Sequence, residues 1–352
     1  MPRAREVGLA LGLLPPGRLN AITDVAGVRV GHVSLVEGES VRTGVTAILT
    51  HERDPFQEKT PAAAFVLNGF GKTCGLPQVG ELGVLETPIL LTGTLAVPRV
   101  ADALIDWTIA RNPDVLSVNP VVGECNDGYL NDIQGRHLRA EHVFEALGGA
   151  AAGPVAEGAV GAGVGMTCYG WKGGIGTSSR RSERFLVGAL VLTNFGQREE
   201  LRIDGAPVGR ELARIAGGAG VDGSGSVMVI VATDAPLDAR QLGRVARRGA
   251  LGLARTGGTA GHGSGDFILA FSNAEPVPHR PPTGLLTRHV VAEDGPLISG
   301  LFQATVEAVE EAVINSLLMA ETTRGRDGRV REALPLEPTL AILRRHSRIA
   351  NP

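Results

Sequence analysis

Aromatic residues and cysteines are scarce in this chain of 352 residues. Phe, Trp and Tyr together make up only 4% of it, which argues against an aromatic recognition surface. The cysteines Cys74, Cys125 and Cys168 are odd in number and far apart, so neither a disulfide framework nor a zinc site is expected. We therefore expect no metal and no other cofactor.

The chain also lacks a strong charge bias and a long apolar run. Its formal net charge is −3, with both signs throughout and no basic stripe, so nucleic acid and anionic membranes are not expected partners. No run reaches membrane-spanning length. The N-terminal apolar stretch is too short, and too interrupted by Gly and Pro, for a signal peptide. These features predict a cytoplasmic protein.

Glycine is abundant instead, with 49 residues, about twice the usual share. This favours tight turns and close backbone packing. Short apolar runs alternate with amphipathic segments, which indicates an α/β fold. No composition break divides the chain, so we predict one domain over 1–352. Strands are predicted within 20–35 and at 43–49, 62–67, 89–92, 185–193, 227–232 and 267–271, and helices at 97–111, 140–147, 238–253 and 301–319.

The segment 223–237 (GSGSVMVIVATDAPL) combines a flexible loop with a buried strand. Ser226 stands directly before the strand. If the peptide bond between Gly225 and Ser226 breaks, Ser226 becomes a chain terminus with a hydroxyl nucleophile and an α-amine. The usual pKa of that amine, about 7.7–8.0, suits a general base. The same pattern also fits a Gly/Ser loop that merely enters a core strand.

Further polar groups accompany the predicted elements. Asn194 follows the apolar strand 185–193, and Ser264 and Asp266 share one face if the chain is extended there. The segment 120–132 (PVVGECNDGYLND) is predicted to be a surface loop, and loops often carry sites. The Gly-rich break at 68–72 lacks the spacing of a phosphate-binding motif and is predicted to be a turn near a pocket.

Several segments, in the same order along the chain, resemble one family of self-processing serine peptidases. The family includes the L-aminopeptidase/D-amidase-esterase and the β-peptidyl aminopeptidases. The resemblance runs from about Asn20 to about Gly328 and rests on NAITDVAGVRVGHVSL, PVVGECNDGYLND, KGGIGTSSR, LVLTNFG, GSVMVIVATDAPL, GLARTGGTAGHGSGDFILAFS and FQATVEAVEEAVINSLLMAETTRGRDG. It implies a four-layer αββα sandwich, like N-terminal-nucleophile hydrolases in layer order but with different connectivity. It also implies cleavage before Ser226 into chains 1–225 and 226–352.

The resemblance also implies catalytic roles. Ser226 is the nucleophile, and Ser264 and Asp266 match a Ser-x-Glu/Asp pair that could relay a proton and hold a positive charge. Many members have Glu in this pair, so Asp266 shortens the reach by one methylene. Asn194 matches the residue whose amide stabilises the tetrahedral oxyanion, and Tyr129 matches an active-site Tyr.

Glu124 is the candidate for binding the substrate's free ammonium, because an aminopeptidase must pair that charge and a carboxylate is the obvious partner. Cys125 receives no role. His262 would permit a Ser-His-Asp triad, but the family does not use it, and the glycines on both sides indicate a loop residue.

We therefore predict an aminopeptidase or amidase that acts on small peptides, amides or esters, as a homotetramer of processed chain pairs. The first alternative is an endo-acting oligoamide hydrolase or an acyltransferase of related fold. The enzymes of these two kinds that resemble this family use Thr as the nucleophile, where this chain has Ser226. A metabolite-binding protein that has lost processing is the second. The presence of the residues assigned to catalysis argues against it.

Overall fold

The chain is described by a computed structural model that covers residues 1–216 and 225–350. The greater part of the predicted loop before Ser226, residues 217–224, lies outside the described residues. The strands in the described part are β1 (Arg29–Glu37), β2 (Val41–Leu49), β3 (Glu58–Gly69), β4 (Val84–Leu85), β5 (Ile89–Gly93), β6 (Val121–Cys125), β7 (Thr167–Cys168), β8 (Trp171–Lys172), β9 (Ile175–Ser182), β10 (Phe185–Asn194), β11 (Ser226–Thr233), β12 (Gly265–Ser272), β13 (Val277–Pro278), β14 (Thr323–Arg324) and β15 (Val330–Arg331). The α-helices there are α1 (Leu76–Leu82), α2 (Val97–Arg111), α3 (Ala140–Gly148), α4 (Val208–Ala216), α5 (Ala239–Arg255), α6 (Pro296–Leu318) and α7 (Leu336–Arg345).

Two sheets form the centre of the molecule. The smaller sheet has the strand order β1-β2-β5-β6, and the larger has β13-β3-β12-β11-β10-β9, with β4 added beside β3. The pairs β5–β6 and β11–β12 are parallel, whereas the other pairs in these sheets are antiparallel. Parallel neighbours need a crossover connection, and α2 and α5 lie within the two that are required here.

The alternation of side chains along β11 shows how the layers stack. Val229 and Val231 pack into a cluster with residues of α5 and α6, whereas Met228 and Ile230 pack against strands of the smaller sheet. Helices α2 and α3 cover the outer face of the smaller sheet. Both faces of β11 are thus buried, which explains its continuous apolar sequence. The predicted αββα sandwich is confirmed.

The predicted helices form, with ends shifted by a few residues. Asp238 caps α5 as predicted, because its Oδ1 accepts a hydrogen bond from Gln241 N at 2.7 Å. The helix predicted at 301–319 begins earlier, at Pro296, a residue type that suits the first helical turn. No helix in the described part of the chain combines the length and apolarity needed to cross a membrane.

The prediction of a surface loop over 120–132 is wrong for its first half. Val121–Cys125 forms the parallel strand β6 beside β5, and all five of its residues are buried. This short segment carries no alternation that marks it as a strand. Pairing with β5 and burial between α2 and the larger sheet decide its conformation, which is a tertiary effect.

Candidate active site

A cavity of about 490 Å³ opens where β6 and β10 end and β11 begins. Five of the residues singled out from the sequence line it, namely Glu124, Tyr129, Asn194, Gly225 and Ser226. Ser264 and Asp266 do not line it and are buried beside it. The structure therefore gathers residues that lie up to about a hundred positions apart in the sequence.

Ser226 is the first residue of β11, directly opposite Asn194, the last residue of β10. Ser226 lies two residues before Met228, whose side chain packs between the two sheets, and Asn194 is the cross-strand partner of Ser226. Both side chains therefore face the space between the sheets. On its other side, Ser226 is paired with Gly265 of β12. The carbonyl oxygen of Gly225 accepts a hydrogen bond from Gly265 N at 3.1 Å. The carbonyl that precedes the predicted nucleophile is thereby held in place.

Gly225 passes very close to the end of β10. A Cβ atom at this position would lie 2.6 Å from Phe195 Cα and would clash with the carbonyl oxygen of Asn194. Both of these obstacles are backbone atoms, which cannot rotate away. Residue 225 must therefore be glycine for the chain to enter β11 along this path.

The Asn194 side chain connects two loops beside the cavity. Its Oδ1 accepts a hydrogen bond from Thr167 N at 2.9 Å, and its Nδ2 donates one to Asn126 O at 3.0 Å. An amide nitrogen has two hydrogens, and this contact occupies one of them. These bonds fix the orientation of the amide next to Ser226.

Ser264 and Asp266 share one face, as predicted. Ser264 Oγ donates a hydrogen bond to Asp266 Oδ1 at 2.6 Å, and both residues are buried. Asp266 Oδ2 is buried and has no hydrogen-bond partner among the described residues. Burial raises the pKa of Asp266, and the bond from Ser264 opposes this rise. Asp266 pairs with Val227, so it lies on β12 next to the start of β11. Its Oδ2 is therefore an unsatisfied hydrogen-bond acceptor close to Ser226 in the sheet.

Glu124 lies near the end of β6 and is only 2% exposed. Its Oε1 accepts a hydrogen bond from Lys72 N at 2.8 Å, and its Oε2 accepts one from the Thr94 hydroxyl. Both donors are neutral, and no cationic side chain of the described residues forms an ion pair with this carboxylate. A buried, uncompensated carboxylate on a cavity wall is suited to a cationic ligand.

The other residues discussed from the sequence lie as follows. Tyr129 is 37% exposed, and its ring stacks on the guanidinium of Arg331, which lies 3.4 Å from the ring centroid. Cys125 is fully buried, and burial raises the pKa of its thiol well above the ordinary value. The thiol donates a hydrogen bond to Leu192 O at 3.4 Å. His262 is exposed and does not line the cavity, so the structure does not support a Ser-His-Asp triad.

The sequence interpretation missed several residues of the cavity wall. The segment 68–72 was predicted to be a turn near a pocket; Phe70 and Lys72 do line the cavity, but Asn68 and Gly69 belong to strand β3. Thr94 and Arg331 carried no local signal, because each stands in an unremarkable segment. Across residues 1–216 and 225–350, no cluster of three or more His, Cys, Asp or Glu side chains is arranged to hold a metal ion.

Comparisons with known proteins place this arrangement in a family. The model of peptidase family S58 matches residues 20–331. A β-peptidyl aminopeptidase from Sphingosinicella microcystinivorans is 41% identical, over 99% of this chain and 93% of its own.

Two solved structures agree over almost the whole chain. A protein from Pyrococcus horikoshii OT3 is 50% identical with a TM-score of 0.93, over 99% of this chain and 100% of its own. The L-aminopeptidase D-Ala-esterase/amidase from Ochrobactrum anthropi, described as a variant of the Ntn hydrolase fold, is 36% identical with a TM-score of 0.91, over 99% and 100%. The family match and these likenesses cover the fold and the cavity together. The chain belongs to peptidase family S58 and is a self-processing serine aminopeptidase.

Proposed function

We propose that the enzyme cleaves itself between Gly225 and Ser226 and then uses Ser226 to release N-terminal residues from short peptides and amides. One observation carries this proposal: Ser226 stands in the cavity opposite Asn194, directly after a carbonyl group held by Gly265 N. A hydroxyl, an acyl group and two polar N–H groups thus meet at the start of one buried strand.

Self-cleavage follows from this arrangement. Ser226 Oγ attacks the carbonyl carbon of Gly225, and Gly265 N–H stabilises the developing oxyanion through the bond it already makes to that oxygen. The C–N bond breaks, the nitrogen of Ser226 takes up the proton lost by Oγ, and an ester joins the two parts. Water hydrolyses the ester and yields chains 1–225 and 226–352.

In the processed enzyme, the released α-amine of Ser226 is the general base for its own hydroxyl. Asp266 Oδ2, buried and without a partner in the described residues, is the acceptor for the ammonium form. A nearby positive charge favours the ionised carboxylate and offsets the burial that raises the pKa of Asp266. Asn194 Nδ2 donates to the oxyanion of the substrate.

Glu124 binds the free ammonium group of the substrate and so restricts the enzyme to unblocked N-termini. Its burial and its two neutral donors support this role, because they hold the carboxylate in place without neutralising it. Tyr129, on the same cavity wall, contacts the substrate.

The preferred substrates are amides and short peptides with an N-terminal β-amino acid. The support is the 41% identity to a β-peptidyl aminopeptidase over nearly the whole chain. A panel of p-nitroanilides with β, α-L and α-D residues tests this preference. A clear preference for α-L residues would contradict it.

The experiment for the reaction itself compares the wild type with Ser226→Ala on a denaturing gel, with N-terminal sequencing of the smaller fragment. We expect two fragments from the wild type, the smaller one beginning at Ser226, and one intact chain from the variant. An N-terminus at Ser224 would show that another serine is the nucleophile. A wild type that stays intact would support the metabolite-binding alternative.

We also propose that the processed pairs assemble into a homotetramer, as the family resemblance implies. Light scattering on the processed enzyme measures the mass. A monomeric pair would contradict this proposal.

A further inference from the structure

Arg331, the last residue of β15, places its guanidinium on the wall of the active-site cavity. The residue is only 8% exposed. Its Nε donates a hydrogen bond to Thr167 Oγ1 at 3.2 Å, and the guanidinium carbon stacks 3.4 Å from the centroid of the Tyr129 ring. These two contacts fix the plane of the group, which leaves its Nη atoms as the donors that remain for a ligand.

A buried guanidinium normally has an anionic partner, and the chain shows this at Arg180. That fully buried side chain pairs with Glu307 at 3.3 Å and with Glu311 at 2.5 Å. Arg331 differs: within the described residues, no carboxylate forms an ion pair with it. Although burial lowers the pKa of Arg331, an arginine keeps its charge at neutral pH. The cavity therefore holds a positive charge that no carboxylate of the described residues contacts.

Arg331 and Glu124 line the same cavity as Ser226 and are connected to it by different sets of contacts. Arg331 bonds to Thr167, whose backbone N–H bonds to Asn194, the partner of Ser226 on β10. On the β12 side, Gly265 packs closely against Gly71, because a Cβ atom built on Gly265 would lie 2.9 Å from Gly71 Cα. Gly71 in turn lies close to Glu124, because a Cβ atom built on Gly71 would lie 3.3 Å from Glu124 Oε1. A negative group from β6 and a positive group from β15 thus line the cavity that holds the nucleophile.

We propose that Arg331 binds the C-terminal carboxylate of the substrate, so that the enzyme prefers dipeptides with a free C-terminus. This inference rests on the proposed function, in which Glu124 holds the ammonium at the other end. A guanidinium fork matches a carboxylate with two parallel hydrogen bonds. Each additional residue moves the carboxylate away by about 3.3–3.6 Å, so longer peptides lose the contact.

The test measures kcat/KM for a dipeptide and for the same dipeptide as its C-terminal amide, in the wild type and in Arg331→Gln. A charge-assisted contact predicts that the variant loses about 10- to 100-fold on the dipeptide and much less on the amide. A dipeptide-to-amide ratio that is unchanged by the substitution overturns the proposal, because an arginine that only orients Tyr129 would lower both rates by the same factor.

Three further variants make the test specific. Arg329→Gln is the matched control, because the guanidinium of Arg329 also lies near the Tyr129 ring, 5.3 Å from its centroid. Arg329 forms an ion pair with Asp327 at 3.7 Å and does not line the cavity. The dipeptide-to-amide ratio should therefore not change in this variant. Lys72→Met removes the second cationic side chain among the described residues of the cavity wall. If the dipeptide-to-amide ratio falls in Lys72→Met and not in Arg331→Gln, the proposal is overturned. Arg331→Lys keeps the charge without the fork. If Arg331→Gln does not fold, an unchanged ratio in Arg331→Lys counts against the proposal and a reduced ratio supports it.

Failure of the proposed function has a different signature. In that case the wild type hydrolyses neither dipeptide nor amide, or Ser226→Ala still hydrolyses both. Failure of the carboxylate proposal alone leaves an active, Ser226-dependent enzyme whose dipeptide-to-amide ratio is the same with and without Arg331.

Discussion

The substitution Glu124→Gln removes one negative charge from the active-site cavity with little change of shape. The glutamine oxygen can still accept the hydrogen bond that Lys72 N donates to Glu124 Oε1 at 2.8 Å. The Thr94 hydroxyl, which now donates to Oε2, can rotate and accept from the new amide instead. The cavity should therefore keep its form and lose only the charge.

The size of the effect follows from the burial of Glu124. At 2% exposure, solvent screens the carboxylate little, so a charge-assisted bond to the substrate ammonium should contribute about 1.5–3 kcal/mol. This corresponds to a loss of about 10- to 150-fold in kcat/KM for substrates with a free N-terminus. N-acetylated substrates, which carry no ammonium, should be poor in the wild type and nearly unaffected by the substitution.

The assay compares kcat/KM for a free and an N-acetylated dipeptide amide in the wild type, in Glu124→Gln and in Glu145→Gln. Glu145 is exposed on α3, outside the cavity wall, and serves as the matched control for the loss of one carboxylate. If the preference for the free N-terminus survives in Glu124→Gln, Glu124 is not the ammonium ligand. If the wild type has no such preference, the assignment of aminopeptidase selectivity to this cavity is refuted.

Three other substitutions test separate parts of the structure. Asn194→Ala should lower kcat by about 10²–10³-fold, as for other oxyanion donors, and an unchanged kcat in a steady-state assay would place the donors elsewhere. Gly225→Ala should slow self-cleavage, because the new Cβ would lie 2.6 Å from Phe195 Cα; equal rates of fragment appearance on a time-resolved gel would contradict this. Burial lowers the pKa of Lys172 to about 7, whereas the pKa of an unfolded lysine is about 10.4. Between these two pH values the unfolded chain binds more protons than the folded chain. The free energy of unfolding should therefore rise with pH across that range. Lys172→Met should lack this rise in urea denaturation at about pH 7 and about pH 10, and equal pH slopes in the two proteins would disprove the assignment.

The sequence by itself determined the local elements that place Ser226 and Asn194 at the cavity. The β-branched run after Ser226 had to be a buried strand, and Ser226 therefore had to stand at its head. Asn194 follows an equally apolar run and ends a strand for the same reason. The order of several motifs along the chain then indicated the family and, through it, the layered fold. These conclusions depend on side-chain type and spacing, which can be read in sequence.

Only the tertiary structure decided which side chains meet around Ser226. Glu124 was expected in a loop and lies in a buried strand, because pairing with β5 outweighs a weak local preference. Arg331 reaches the cavity through its contacts with Thr167 and Tyr129, which are remote in the sequence. Such contacts depend on strand register and on how the two sheets stack. A local pattern specifies neither, because both are set by packing between segments that lie far apart along the chain.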